Sequence, residues 1–265
     1  MDDDKLFALV TGASSGIGLA ISRELARHGY PILLISNEEE KLKIAGLEIE
    51  EQYHVRAIPL FMDLAKKDSA KSIFDFCEQS NIKIEILVNN AGMFIFKDII
   101  DTAPERMEAI INLHTLTPAL LARLFAAQII REKRKAYILN MSSISARMHI
   151  PGITLYSATK NFLRSFSLAM GKETRGQNIS ITTISPGAAA TGFYGLGPRY
   201  MKLGIKLGII VTPEILARKS VRKMFRKRLE FIPNPFINHF IVFITKVLPN
   251  SFFRKIKMKL DSYTG

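Results

Sequence analysis

Short apolar runs alternate with longer amphipathic stretches over the first two thirds of the chain. Each apolar run is rich in Ile, Leu and Val and has the length of a strand that is buried on both faces. This alternation is typical of β-α-β units, in which helices cover both sides of a parallel sheet. The predicted strands cover residues 5–11, 31–36, 54–61, 84–90, 136–142, 179–185 and 229–233.

The amphipathic stretches between these runs have the spacing of helices. Pro213 follows Thr212, and proline suits the first turn of a helix. Because crossovers between parallel strands are right-handed, the elements predict a doubly wound sheet with helices on both faces. The predicted helices cover residues 16–28, 38–52, 66–80, 104–132, 155–175 and 213–228.

The length and composition indicate one large core. With 265 residues and 48% hydrophobic content, we expect a single catalytic domain over residues 1–234 and a basic, amphipathic C-terminal extension over 235–265. The single Cys77 offers neither an internal disulfide nor a zinc spacing, and the five histidines show no ligand spacing, so no metal is expected.

The terminal segments do not have the pattern of export or membrane-spanning sequences. Three acidic residues precede a short apolar run at the N-terminus, which is the wrong charge for a secretory signal. The longest apolar segment of the tail contains Asn238, His239 and Lys246, and it is shorter than the roughly 20 residues that span a bilayer. We therefore expect a cytoplasmic protein.

The net charge of +13 is concentrated in the last quarter of the chain. Residues 1–197 hold 22 Lys and Arg against 21 Asp and Glu, whereas residues 198–265 hold 15 against 3. Two readings stay open: peripheral contact with the inner surface of an anionic membrane, or a helical cap on the domain or on a partner subunit. Nucleic acid is not an expected partner, because no aromatic stacking platform accompanies the charges.

A glycine-rich turn, TGASSGIG, follows the first predicted strand and opens the first predicted helix. Gly12 permits a tight turn, Gly16 lets the backbone approach a pyrophosphate, and Gly18 permits close helix packing. The free N-H groups and the positive dipole end of the helix favour an anion at this place. The alternative is a glycine-rich turn without a ligand.

Tyr156 and Lys160 lie four residues apart, which is one turn on the same face of a helix. A chain of this composition contains about half of one such pair by chance, so the pair alone decides nothing. Transfer of a hydride to a carbonyl also requires a proton, which a tyrosine can donate. A neighbouring ammonium would favour the phenolate, whose unperturbed pKa near 10 is otherwise too high for a base at neutral pH.

Six sequence motifs occur in the order that the short-chain dehydrogenase/reductase family has, and the chain therefore resembles that family. They are the glycine turn, NNAG at 89–92, Asn112, the serine pair 142–143, YSATK at 156–160, and SPG at 185–187 followed by Thr191. The resemblance covers residues 5 to about 192. It implies a Rossmann-like, seven-stranded parallel sheet in the order 3-2-1-4-5-6-7, and a reaction that interconverts a carbonyl and a secondary alcohol.

The resemblance also implies roles for a catalytic tetrad. Tyr156 matches the acid/base, Lys160 the residue that lowers its pKa and contacts the nicotinamide ribose, and Asn112 the residue that holds a relay water. Ser143 lies thirteen positions before Tyr156, where the family has its catalytic serine. Ser142 then becomes a supporting neighbour.

The cofactor implied is a nicotinamide dinucleotide, and we favour NADP(H) over NAD(H). Ser36 lies where the family has the acid that selects NAD, and Asn37 lies where it often has an arginine that selects NADP. Ser15 lies at another position that is commonly basic in NADP-dependent members, and it is not basic. The absent acid removes repulsion of a 2′-phosphate, and Asp63 matches an adenine-contacting aspartate. The expected cofactor-binding residues are Gly12, Ser14, Ser15, Gly16, Ile17, Gly18, Ser36, Asn37, Asp63, Leu64, Asn90, Ala91, Gly92, Tyr156, Lys160, Pro186, Gly187 and Thr191.

Residues 187–211 match the segment that closes over the substrate in this family, and their apolar, glycine-rich composition indicates a hydrophobic substrate. The alternative is that these side chains pack on the protein's own core. The helices at 104–132 and 155–175 match the family's subunit interface, so a homodimer or homotetramer is expected. Two rival functions stay open: a non-catalytic dinucleotide-binding module that regulates or attaches to membranes, and an epimerase or dehydratase.

Overall fold

A seven-stranded parallel sheet forms the centre of the computed structural model, which describes residues 6–187, 189–190 and 210–249. Its strand order, β3-β2-β1-β4-β5-β6-β7, confirms the predicted topology. The strands are β1 Phe7–Thr11, β2 Ile32–Ser36, β3 Ala57–Phe61, β4 Ile84–Asn89, β5 Ala136–Met141, β6 Ile179–Ile184 and β7 Glu230–Phe231.

Helices follow the strands as the amphipathic stretches predict. The predicted helix at 104–132 contains one π-helical turn, Asn112–Leu116, which joins α4 to α5. Such turns insert an extra residue in a helix and often mark functional positions. The helices are α1 Gly16–Arg27, α2 Glu39–Tyr53, α3 Ser69–Gln79, α4 Pro104–Ile111, α5 Thr117–Arg131, α6 Thr154–Glu173, α7 Pro213–Phe225 and α8 Pro235–Val247, with short 3-10 turns at Ile99–Asp101 and Ile144–Arg147.

Each face of the sheet has its own apolar core, because successive side chains of a strand point to opposite faces. On β1, Val10 packs with residues of α1, α2 and α7, whereas Leu9 packs with residues of α3 and α5. Phe125 of α5 is almost completely buried in the second core. This double burial explains why the central strands β1 and β2 are almost entirely apolar instead of alternating.

The helical segment Pro104–Arg131 is long and apolar enough to cross a membrane by length and composition. Of the most apolar 18-residue window of this segment, 56% is buried inside the fold. Leu121, Phe125 and Ile129 lie in the core beside α3. A core helix meets the same criteria, so the packing accounts for the composition of this segment.

The predicted strand at 229–233 is reduced to the two residues of β7. Pro233 has no N-H to donate to a ladder, and Asn234 adopts a left-handed conformation with φ 49° that turns the chain into α8. The described part of the predicted C-terminal extension therefore begins with a helix. The remainder of the extension, 250–265, lies outside the described residues.

Candidate active site

A cavity of about 820 Å³ lies where the carboxyl ends of β1, β4 and β5 meet. In doubly wound sheets this edge, where the strand order reverses, is the usual place for a ligand. Most of the predicted site residues line this cavity: Gly12, Ser14, Ser15, Gly16, Ile17, Ser36, Asn37, Asp63, Leu64, Asn90, Ala91, Gly92, Ser143, Tyr156, Lys160, Pro186 and Gly187.

The glycine turn between β1 and α1 has the geometry of an anion site. Gly12 and Gly16 adopt left-handed backbone angles, with φ 65° and 57°. Ser15, at the N-terminus of α1, makes no side-chain capping bond, and the first turn contains no acidic residue. The first turn of the helix therefore has neither a side-chain cap nor an acidic residue of its own, which fits a bound pyrophosphate.

Gly18 and Asn90 brace this turn against β4. A Cβ atom on Gly18 would lie 1.9 Å from the carbonyl oxygen of Gly12, so only glycine fits there. Gly18 does not line the cavity. The side-chain amide of Asn90 donates to the carbonyl of Thr11 at 3.0 Å, and Thr11 Oγ1 accepts from the N-H groups of Asn90 and Ala91. The turn that would hold the cofactor is thus fixed to the adjacent strand.

At the other end of the cavity the structure adds an acid that the sequence reasoning missed. The hydroxyl of Ser14 donates to Glu38 Oε2 at 2.7 Å, and the hydroxyl of Ser36 donates to Ser14 Oγ at 2.9 Å. Glu38 also forms an ion pair with Lys41. The hydrogen bonds from Lys41 and Ser14 lower the pKa of the Glu38 carboxyl. The acidic run NEEEK directly after β2 was the available signal.

Two cations line the same end of the cavity as Glu38, namely Arg23 and Lys41. Arg23 pairs with Glu48 at 2.6 Å, and its Nε has no hydrogen-bond partner among the described residues. Each of these two basic side chains is therefore paired with an acid, Arg23 with Glu48 and Lys41 with Glu38.

Lys160 and Tyr156 lie on consecutive turns of α6, and both side chains are buried. Lys160 Nζ donates to the carbonyl of Met141, the last residue of β5, at 3.0 Å. The same nitrogen lies 5.9 Å from the centroid of the Tyr156 ring. Burial lowers the pKa of Lys160 from its ordinary value to about 8. The lysine is thus held in place beside the tyrosine, in a setting that weakens its hold on a proton.

The two serines after β5 have different partners. Ser142 Oγ donates to the backbone carbonyl of Lys160 at 2.8 Å and so ties β5 to α6. Ser143 Oγ accepts from the N-H of Ser145 at 3.1 Å. No partner takes the hydroxyl proton of Ser143 in the described part of the chain, and its side chain lines the cavity. This arrangement suits Ser143 for a hydrogen bond to a substrate oxygen.

Asn112 lies on the π-helical turn, away from the cavity wall. Its side-chain amide donates to the carbonyl of Ala65 at 3.0 Å, and its backbone carbonyl accepts from Thr117 N-H. Its part in a proton relay stays a prediction. Thr191 lies outside the described residues, as does most of the predicted lid at 187–211. At the base of that segment, Ala189 and Val211 form a parallel bridge.

His114, on the same π-helical turn, is a buried residue for which the sequence indicated no role. Its Nε2 accepts from the N-H of Met93 at 3.0 Å, so the ring proton is on Nδ1, which lies 3.0 Å from Thr159 Oγ1. Burial and the charge of Lys160 hold the pKa of His114 well below its ordinary value. This neutral imidazole links the segment after β4 to α6.

Two aromatic residues, Phe94 and Phe96, follow NNAG and adjoin Tyr156. The ring of Phe94 packs edge-on against Tyr156 at 5.1 Å, and Phe96 stacks with Phe94 at 6.5 Å. A Cβ atom on Gly152 would lie 2.9 Å from the Phe96 ring, so glycine allows the contact. Met93 lines the cavity beside them. Phe94 and Phe96 do not themselves line the cavity, but both are half-buried beside Tyr156, which does.

A half-buried ion cluster ties α6 to β7. Glu230 of β7 accepts from Arg147 at 2.5 Å and from Arg164 at 2.8 Å. Burial alone would raise the pKa of Glu230, but the hydrogen bonds and charges of the two arginines hold it below its ordinary value. Within the described ranges no group of three His, Cys, Asp or Glu side chains could hold a metal ion.

Comparisons with known proteins agree with this geometry. A family model described as short chain dehydrogenase matches residues 6–195. Over 266 residues the chain is 29% identical to a Homo sapiens very-long-chain 3-oxoacyl-CoA reductase, and the match covers 97% of this chain and 80% of that protein.

Solved structures have the same architecture. A structure of a 7β-hydroxysteroid dehydrogenase aligns with a TM-score of 0.83 at 24% identity, over 95% of this chain and 96% of that one. A metagenomic short-chain oxidoreductase in complex with NADP aligns with a TM-score of 0.70 at 26% identity, over 83% and 90% of the two chains.

Proposed function

This chain belongs to the short-chain dehydrogenase family, and from that premise we propose that it reduces the carbonyl of a hydrophobic, acyl-type substrate with NADPH. It is an oxidoreductase that interconverts a carbonyl and a secondary alcohol with a nicotinamide dinucleotide. The long-chain acyl substrate in the name of the human relative supports the proposed substrate class, and the apolar rings of Phe94 and Phe96 next to Tyr156 are compatible with it.

Reduction adds a hydride to the carbonyl carbon and a proton to the oxygen. The nicotinamide supplies the hydride when it is bound. Ser143 donates its free hydroxyl proton in a hydrogen bond to the substrate oxygen and so orients the carbonyl. Tyr156 gives the proton to that oxygen, and the nearby charge of Lys160 stabilises the phenolate that remains.

The observation that carries this proposal is the convergence of Ser143, Tyr156 and Lys160 on one cavity wall. We expect Tyr156→Phe to abolish oxidation of NADPH with every carbonyl that the native protein reduces, while cofactor binding stays within about twofold of native, since the phenolic oxygen supplies the proton and only part of the binding surface. Retained turnover in this variant would exclude the proposed role. An epimerase or dehydratase would convert substrate without net consumption of cofactor.

We favour NADP(H) over NAD(H) because two cations, Arg23 and Lys41, line the end of the cavity that receives the adenosine ribose in this family. The complex of the metagenomic relative with NADP supports this choice. Glu38 opposes it by charge. A 2′-phosphate that took over the ion pair of Glu38 with Lys41 would offset this repulsion. Binding titrations with both cofactors test the preference.

We also propose that the protein forms a homodimer or homotetramer through α5 and α6. Phe162 on α6 is 45% exposed and stacks on Phe166, and Leu116 at the start of α5 is 39% exposed. Apolar side chains of this kind on adjacent helices are typical of an oligomer interface. Light scattering of the purified chain measures the state.

The basic last quarter of the chain supports a further proposal, that the protein is cytoplasmic and contacts the inner surface of a membrane peripherally. Residues 198–265 hold 15 Lys and Arg against 3 Asp and Glu, so an anionic surface complements their charge.

A further inference from the structure

We propose that the exposed face of α8 is a docking surface for an anionic lipid bilayer, and that a membrane-dissolved substrate reaches the cavity from this side. This proposal rests on the proposed function for its substrate class. The surface, called the outer stripe below, consists of Phe236, Phe240, Phe243 and Val247. Each of these side chains is at least 59% exposed.

The outer stripe follows one face of the helix. The spacing of four, three and four residues brings all its members to the same side of an α-helix. The opposite face packs on the protein: Asn238 and Val242 are buried there, and Asn238 bonds to the carbonyl of Pro233.

The outer face of α8 departs from the usual pattern of a surface helix, which exposes polar residues. In α8 a buried amide faces the protein and three phenylalanines face outward. Single exposed apolar residues are ordinary, but a continuous aromatic stripe indicates a partner surface.

The charge of the surrounding sequence indicates which partner this is. Residues 198–265 carry 12 more basic than acidic side chains, and the segment directly after α8 contains Arg254, Lys255, Lys257 and Lys259. A second copy of the chain would bring the same positive charge to the contact, which opposes self-association. An anionic bilayer is complementary to this charge, and its interface accepts phenylalanine side chains.

The inner face of α8 connects the outer stripe to the chemistry. Val242 packs in one cluster with Ile144 and Met148, and Ile144 directly follows Ser143. A Cβ atom on Gly187, which lines the cavity, would lie 2.6 Å from Asn238 Oδ1. The helix thus lies on the two segments that carry Ser143 and Gly187, so a membrane bound to its outer face is close to the substrate site.

Vesicle flotation of the full chain with NADPH tests the docking surface. We expect native protein to bind vesicles of phosphatidylcholine with phosphatidylserine, to bind pure phosphatidylcholine less, and to lose part of its binding in high salt. The double variant Phe240→Ser/Phe243→Ser should bind at least about tenfold more weakly, because each buried phenylalanine contributes to partitioning. The matched control is Ile44→Ser/Leu47→Ser on α2, two exposed apolar side chains outside the stripe, and it should bind as native.

A fluorescent probe gives an independent measurement. The chain contains no tryptophan, so the fluorescence of tryptophan in Phe240→Trp comes from this single position. Brominated lipids should quench this emission and should leave that of Leu47→Trp unchanged. Absence of quenching, absence of native binding, or equal binding by the serine double variant would overturn the docking proposal. If native protein did not bind vesicles and the serine double variant formed a smaller oligomer than native protein, the outer stripe would instead be a contact with a second copy of the chain.

Turnover separates this proposal from the proposed function. A water-soluble short-chain carbonyl should be reduced equally by native protein and by the serine double variant. A long-chain carbonyl dissolved in vesicles should be reduced about tenfold more slowly by the variant, in line with its lower binding. Failure of native protein to reduce any carbonyl would reject the proposed function. Equal turnover of the vesicle-borne substrate by both proteins would reject only the entry route.

Discussion

Lys160 Nζ donates a hydrogen bond to the carbonyl of Met141 at 3.0 Å, and Ser142, the next residue, donates its hydroxyl proton to the carbonyl of Lys160. This reciprocal pair joins the end of β5 to the helix that carries Tyr156. The strand that leads to Ser143 and the helix that carries the proton donor are therefore held together by side chains on both sides.

The two serines should respond differently to loss of their hydroxyl groups. Ser142→Ala leaves the carbonyl of Lys160 without this partner in a buried place and should lower the free energy of unfolding by about 1–3 kcal/mol. Ser143→Ala removes the cap on the N-H of Ser145 and should lower the free energy of unfolding by about 1 kcal/mol. It should also lower kcat by about 10²-fold to 10³-fold, because it removes a donor to the reacting oxygen. Denaturant unfolding and initial rates measure the two effects. If Ser142→Ala instead showed the loss of kcat and Ser143→Ala the larger loss of stability, the two serines would have the opposite roles.

The lowered pKa of Lys160 predicts how pH affects cofactor binding. Above its pKa of about 8 the free protein loses the ammonium that would contact the ribose. The Kd of NADPH should then rise about tenfold per pH unit until the pKa of the bound state is reached. Lys160→Arg keeps its charge over this range and should abolish this dependence, and a native protein with constant affinity from pH 7 to pH 10 would contradict the prediction.

The same shift has a consequence for stability without cofactor. The pKa of Lys160 is about 8 in the folded protein and about 10.4 in the unfolded chain. The unfolded chain binds more protons between these values, so stability should rise as the pH rises from about 8 to about 10.4. Thermal unfolding of native protein against Lys160→Met over this range measures the difference, since the variant lacks this contribution.

Glu38 and Lys41 should set the choice between the two cofactors. Glu38→Gln removes a negative charge next to Ser14 and should raise the affinity for NADPH relative to NADH by about tenfold. Lys41→Ala should lower the affinity for NADPH by about tenfold and leave that for NADH close to native, since only NADPH brings the extra phosphate. Lys43→Ala is the matched control, because Lys43 pairs with Glu39 on the same helix and does not line the cavity. Equal effects of Lys41→Ala on both cofactors would exclude a phosphate contact.

His114 should make the fold sensitive to mild acid. Its pKa is lowered by burial and by Lys160, so the folded protein resists a proton that the unfolded chain accepts near pH 6.5. The stability present above this pH should be lost as the pH falls, by up to about 1.4 kcal/mol per pH unit. His114→Gln keeps an acceptor for Met93 N-H without this titration, and its unfolding should depend less on pH between 7 and 5. An unchanged dependence would assign the effect to other groups.

The strands and the glycine turn could be predicted from the sequence because both depend on local patterns, whereas the strand order followed from the family resemblance. Continuous runs of Ile and Leu such as residues 32–35 are typical of a parallel strand that is covered on both faces. Helix geometry alone brought Tyr156 and Lys160 to one face. The structure differs most from the predicted elements where elements end or are interrupted. The last strand ends before Pro233, and the π-helical turn interrupts the predicted helix at 104–132.

Only the tertiary structure decided which distant side chains meet. Glu38 reaches Ser14 from another βα unit, His114 joins Met93 to α6, and Phe96 packs over Gly152. No periodic pattern in the sequence predicts these contacts, because each depends on how two elements pack against each other. The sequence by itself determined the sheet and the spacing of the catalytic pair, whereas packing decided the polarity at the cofactor end and left the phenylalanines of α8 exposed.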